Sequence, residues 1–361
     1  MDASGIKAAA YGLLIVVAGA GAALAAGKPA PTPPPATYPP ARYWQSFASN
    51  TYDRFSTASR LYMFGGTDAS GTSVVNFNDL WWYSNAGSSS AKWNRVPSAG
   101  TWPTARFHVG WSCGDGYCVA ASGTSGTSYL KETWVFTEST ASWYQVNCKR
   151  YTCPVGRAAP AIAYDPERMV HVLFGGDANT AVLADTFIFD VATRTWTKMG
   201  SNGAPSARFA AAATFVPPLH RVVMFGGGNY QASQRVNDMY AWSGTAWEPI
   251  EYTNPQSEVP SLDFHSIVWD SVAGHMIVTG GLIGPTETAN DSAWYVTFAD
   301  GKATWSKPFT PSCVSATSSP PDVGRYLYAR MAYDAPSGVQ VFFGGLTNFP
   351  LESYGNTVEC R

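Results

Sequence analysis

RAAPAIAYDPERMVHVLFGGDANTAVLADTFIFDVATRTWTKMGSNG, residues 157–203, is the stretch whose reading decides the fold. Arg157 precedes an apolar segment, Ala161-Ile162-Ala163-Tyr164, and Asp165-Pro166-Glu167-Arg168 makes a turn. A second apolar run, Met169 to Phe174, stops at Gly175-Gly176. After a polar loop come Asp185-Thr186-Phe187-Ile188-Phe189-Asp190, another turn, and Trp196-Thr197-Lys198-Met199. Short apolar runs bounded by turn residues read as strands, so the stretch predicts four strands and no helix. Arg208 opens the same unit again, and a period of this size marks a repeat architecture.

Three markers carry the unit along the chain. A hydrophobic run ending in a Gly pair recurs at 61–66, 171–176, 222–227, 276–281 and 341–345, and at 119–123 with Ser122 in place of the first Gly. An acidic residue opens the third strand at Asp79, Glu132, Asp185, Asp238 and Asp291, each 53 positions after the last, and Asn356 stands there in the sixth unit. A Trp recurs at Trp44, Trp93, Trp143, Trp196, Trp247 and Trp305. Trp44 precedes the first Gly pair and no Trp follows the last. The strand around Tyr43-Trp44-Gln45 is therefore expected to complete the final unit, closing an all-β, six-bladed propeller over residues 43–361.

The Gly pair after an apolar strand, the Asn-Asp before the third strand (Asn78-Asp79, Asn237-Asp238, Asn290-Asp291), the Trp and the following Arg together resemble the kelch repeat. The departures are Ser122, Ser261-Leu262-Asp263 where the fifth unit expects Arg, and the missing acid of the sixth. The fold class implied is a kelch-type β-propeller, like the central domain of galactose oxidase. That likeness would imply a copper held by two His and two Tyr, one Tyr bonded to a Cys. The five His sit at repeat positions and the cysteines fall in close pairs, so the residues predict no copper site, no other metal and no cofactor. No HExxH, Walker A or Gly-x-Ser-x-Gly motif is present, and no catalytic residue is assigned.

Composition narrows the function further. Charged residues make up 13% and aromatics 14% of the 361, the net charge is −2, and no Lys/Arg cluster exists, which argues against nucleic-acid binding. Cys113 with Cys118, Cys148 with Cys153, and Cys313 with Cys360 are the cheapest pairings, although six cysteines allow about 15 arrangements. Disulfides imply an oxidising compartment. The amino terminus agrees. Residues 8–27 carry no charge, and Ala23-Leu24-Ala25 fits a secretory cleavage pattern, so residues 1–27 read either as a signal peptide or as a retained membrane anchor. Residues 28–42 form a Pro-rich linker.

The candidate binding residues lie on one face. Arg54, Arg106, Arg157, Arg208 and Arg325 stand where guanidinium groups near one channel mouth could hold an anionic ligand, or could equally pair with the Asp/Glu column. Tyr129, Tyr230 and Phe349 dot the loops 67–78, 124–131, 177–184, 228–237, 282–290 and 346–355, which are rich in Ser, Thr and Asn. Asn290 is the Asn of the one N-glycosylation sequon. The expectation is an exported, non-catalytic interaction propeller that binds protein or glycan through these loops, with membrane contact through residues 8–27 if they are retained. The alternatives are an accessory subunit of a membrane complex and a galactose-oxidase-like copper enzyme.

Overall fold

A computed structural model describes residues 37–50, 60–68, 74–148, 153–201, 203–284, 288–311, 313–315, 330–345 and 357–360. Among these, six antiparallel sheets have four strands each. The third shows the pattern most plainly: Ala161–Asp165, Val170–Asp177, Val182–Asp190 and Thr195–Lys198, side by side in chain order. The apolar runs become strands because turn chemistry isolates each of them. Asp165 Oδ1 accepts from the amides of Glu167 and Arg168 in the first turn, and Asp190 Oδ1 does the same for Ala192 and Thr193 in the last. Nothing described is an α-helix, and no helix there is long and apolar enough to cross a membrane. Residues 1–36, which include the signal or anchor segment, lie outside the described residues.

The first strands of the six sheets are Ser46–Ser49, Gly110–Gly114, Ala161–Asp165, Ala212–Val216, Ser266–Asp270 and Arg330–Asp334. Each contacts the first strand of the next sheet, and the last contacts the first, around a common cavity. A repeated bond ties the sheets together. In four of the pairs the second Gly donates its N–H to the carbonyl at the Arg position of the following sheet: Gly66 to Arg106 O, Gly123 to Arg157 O, Gly176 to Arg208 O and Gly227 to Leu262 O, at 2.8–2.9 Å. Gly345 donates to Arg42 O at 3.0 Å in the same way, joining the sixth sheet to the first.

This close approach explains the Gly pair. At Gly175, with φ +61°, a Cβ would lie 2.4 Å from Arg208 O, and at Gly344, with φ +71°, 2.4 Å from Arg42 O. Neither the backbone conformation nor the space suits a side chain. The Trp of each fourth strand works across the same joints. Trp93, Trp196 and Trp247 donate Nε1–H to Thr357, Thr133 and Thr186, each in the third strand of the preceding sheet. Where Leu80 and Met239 replace that Thr, Trp143 and Trp305 pack against Phe64 and Phe225 at 5.1 and 4.7 Å. These large buried rings supply the apolar glue between sheets.

Two expectations are corrected. The N-terminal strand does not complete the sixth sheet, whose outer strand is Cys313–Ser315, paired with Thr357–Cys360. The chain just before the sixth inner strand supplies it, and the Cys313–Cys360 disulfide fixes it there. Ser46–Ser49 is instead the innermost strand of the first sheet. Trp44 is accordingly no fourth-strand residue. It adopts φ +52° two places after Arg42, as His108 (+52°), Ala159 (+48°) and Ala210 (+54°) do after Arg106, Arg157 and Arg208. Arg42, read from sequence as the end of the linker, is the Arg of the first sheet, and its side chain is fully buried. Arg54 and Arg325 lie outside the described residues.

Candidate functional site

The Arg ring is built into the sheets. Arg42, Arg106, Arg157 and Arg208 have relative exposures of 0–1%. Arg42 grips Asp79 bidentately (2.5 and 2.8 Å), Arg157 grips Asp185 (2.5 and 3.0 Å), and Arg208 grips Asp238 (2.5 and 3.0 Å). Arg106 reaches Glu132 through Nη2 at 2.5 Å. Each also donates to the carbonyl of the first residue of its Gly pair, at Gly65, Ser122, Gly175 and Gly226. Each Nε donates to the carbonyl two residues back. Burial alone would raise the Asp79 carboxyl, but the hydrogen bonds and charge of Arg42 outweigh it and hold it below the usual range. Burial likewise favours a rise at Glu132, and the hydrogen bonds from Arg106 and Trp134 with the Arg106 charge overcome it and hold the carboxyl below the usual range. With all three guanidinium nitrogens engaged, these arginines brace the sheet.

The fifth sheet replaces this device. Leu262 stands at its Arg position and Asp291 is exposed. The fully buried Asp263 instead pairs with Arg235 at 2.8 Å, an arginine reaching over from the loop of the fourth sheet.

The loops after the Gly pairs form a laced rim on the same face. Short hairpins rise there, Thr67–Asp68 with Val75–Asn76, Gly228–Asn229 with Gln234–Arg235, and Leu282–Ile283 with Thr288–Ala289. Neighbouring loops are joined by Asn76 Nδ2 to Ser125 O (2.7 Å), Gln231 Nε2 to Thr180 O (3.1 Å) and Arg235 Nη1 to Gly284 O (2.5 Å). Tyr129 and Tyr230, proposed separately from sequence, meet at one carboxylate: Tyr129 donates to Asp177 Oδ2 at 2.7 Å and Tyr230 to Oδ1 at 3.0 Å. They come from the loops of the sheets on either side. Burial and the Asp177 charge push the Tyr230 phenol up to about 12 and raise Tyr129 as well, so both remain donors at neutral pH. All three side chains are half-buried. Phe349 lies outside the described residues.

Asp177 and Gln231 were not singled out from the sequence. The signal was present, since Tyr129 and Tyr230 stand 48 and 53 positions from Asp177, about one repeat on either side. Asn290, the sequon residue, is buried at 6% exposure. Its amide donates to Gly280 O and Ser292 O, and its carbonyl accepts from Ser292 N–H.

Cys113–Cys118, Cys148–Cys153 and Cys313–Cys360 form disulfides, as the spacing predicted. His108, His171 and His265 are buried in separate sheets, and burial lowers each to about 3. Among the described residues no three His, Cys, Asp or Glu side chains converge as metal ligands would. No curated protein matches the chain. A family model described as the KLHDC2/KLHL20/DRC7 Kelch-repeats domain matches residues 30–217 and 170–348, which together cover most of the sequence. The chain belongs to the kelch-repeat family, and its sheets form a kelch β-propeller.

Proposed function

We propose that this protein is an exported, non-catalytic interaction module, a closed six-bladed propeller that docks a protein or glycan ligand on the rim formed by its post-glycine loops. The observation that carries this reading is the convergence of Tyr129 and Tyr230 on Asp177, across three consecutive sheets. Phenols held by a shared carboxylate lose little freedom on binding, and a pre-ordered, weakly charged surface of Tyr, Asn, Ser and Thr suits both ligand classes. Three disulfides support passage through an oxidising compartment. Sequencing the amino terminus of protein from its native source decides between a cleaved signal and an anchor at residues 8–27.

Site-specific photocrosslinking in the native host tests the docking face. A photoreactive residue at position 129 or 230 is expected to give discrete adducts. The same group at Val272, which is 73% exposed on a turn at the opposite end of the sheets, is expected to give none. Equal labelling from both ends contradicts the reading. A glycan ligand predicts, in place of protein adducts, binding to a carbohydrate array that Tyr230→Ala abolishes.

A further inference from the structure

Tyr129, Asp177 and Tyr230 present one hydrogen-bond polarity to whatever docks on the rim. Each phenol has a single proton and spends it inward, on opposite oxygens of the same carboxylate. Tyr129 donates to Asp177 Oδ2 at 2.7 Å, and Tyr230 donates to Oδ1 at 3.0 Å, closer than its other acceptor, Asn179 O at 3.4 Å. Asp177 Oδ1 also accepts from the Asn179 amide at 2.9 Å. A carboxylate offers about four lone-pair sites, so these three donors leave one open, on Oδ2.

Neighbouring amide donors are spent within the rim as well. Asn229 Nδ2 donates to Ala207 O at 3.0 Å and Gln231 Nε2 to Thr180 O at 3.1 Å. What the cluster has left for a ligand is acceptors: the outer lone pairs of two phenol oxygens and the open site on Asp177. All three side chains keep part of their surface in solvent. Burial and the Asp177 charge keep both phenols protonated, so they add no charge of their own. Asp79, Asp185 and Asp238 are each clamped by an arginine, whereas no Lys, Arg or His among the described residues pairs with Asp177.

We propose that this notch receives a basic side chain of a protein partner, a guanidinium or ammonium whose N–H groups donate to the two phenol oxygens and to Asp177 Oδ2. The inference rests on the rim being the docking face and narrows its ligand to a protein with an exposed Arg or Lys. Several acceptors around one negative charge match groups that carry only donors and a positive charge. An acidic side chain meets a like charge there and no spare phenol proton. A sugar hydroxyl donates to a phenol oxygen but leaves the carboxylate charge unanswered.

Arrays of short random peptides, each pool with one position fixed as Arg, Lys, Gln or Glu, are the probe, and the full chain is the binder. The Arg and Lys pools are expected to bind at least about tenfold more tightly than the Gln pool, less so as salt is raised. Asp177→Asn, which keeps the side-chain size and changes the net charge by one, is expected to abolish that preference. If the variant does not fold, the wild type decides alone: a carbodiimide, which joins a carboxylate to an amine in contact with it, is applied to the complex with a Lys peptide. An Asp177–Lys amide in the peptide map supports the proposal, and coupling confined to other carboxylates overturns it. No preference for basic pools, or a preference unchanged in Asp177→Asn, also overturns it. If positions 129 and 230 still photocrosslink a ligand in that event, the docking face stands and only the basic ligand falls; without adducts from either position, the docking face falls too.

Discussion

Arg157 shows how completely a repeated residue can be consumed by its own fold. Five hydrogen bonds could leave the guanidinium, and four of them end on Val155 O, Gly175 O and both Asp185 oxygens. Arg157→Ala removes a fully buried side chain and leaves the Gly175 carbonyl and the half-buried Asp185 carboxylate without their partner, and is expected to cost roughly 2–3 kcal/mol in urea unfolding. Tyr230→Phe, on the half-exposed rim, is expected to cost under about 1 kcal/mol. Comparable losses would contradict the division between brace and rim. The buried histidines give a pH signature. His108, His171 and His265 have folded values near 3 against 6.5 for the free side chain, so the unfolded chain binds more protons between those limits. Their neutral burial costs nothing above pH 6.5 and costs stability progressively below it, by about 1.4 kcal/mol per pH unit for each imidazole. Asp79 and Glu132, depressed from 3.8 and 4.5, add a further loss at lower pH. Tm is expected to fall from about pH 6.5 downward, with a shallower slope in His171→Leu; an unchanged slope would show that His171 titrates normally in the folded protein.

The strands, turns and Gly pairs were legible as elements because each has a local cause, and the disulfides because their partners sit on facing positions, as Cys113 faces Cys118. The ends of the repeat array were not. In the third sheet the first two strands are joined by a turn, whereas in the first sheet Ser49 and Leu61 are separated by a long connection. That insertion displaces the true first arginine upstream into the proline-rich segment. A fixed period therefore selects Arg54 over Arg42. The sixth sheet hides its outer strand by placing it before its inner one. The Cys313–Cys360 bridge, spanning 47 positions, holds that strand and is expected to contribute about 4 kcal/mol, against about 2 kcal/mol for Cys113–Cys118, which spans 5. Paired Cys→Ser variants compared by urea midpoint check this, and equal losses would mean the outer strand holds without its bridge.

At the scale of the whole molecule, the rim is a single face only if the sixth sheet meets the first as the others meet their neighbours. The joint rests on several bonds between distant parts of the chain. Gly345 N–H reaches Arg42 O, Gln45 Nε2 reaches Phe343 O at 2.5 Å, Trp93 Nε1 reaches Thr357 Oγ1 at 2.7 Å, and Tyr83 donates to Glu359 at 2.9 Å. No sequence pattern announces these pairs, because each spans more than 260 positions and only the closed ring brings them together. Amide hydrogen exchange at the second glycines tests that closure most directly. Gly345 is expected to exchange as slowly as Gly66, Gly123, Gly176 and Gly227, opening only with global unfolding. A Gly345 amide that exchanges orders of magnitude faster than the other four would contradict a closed ring.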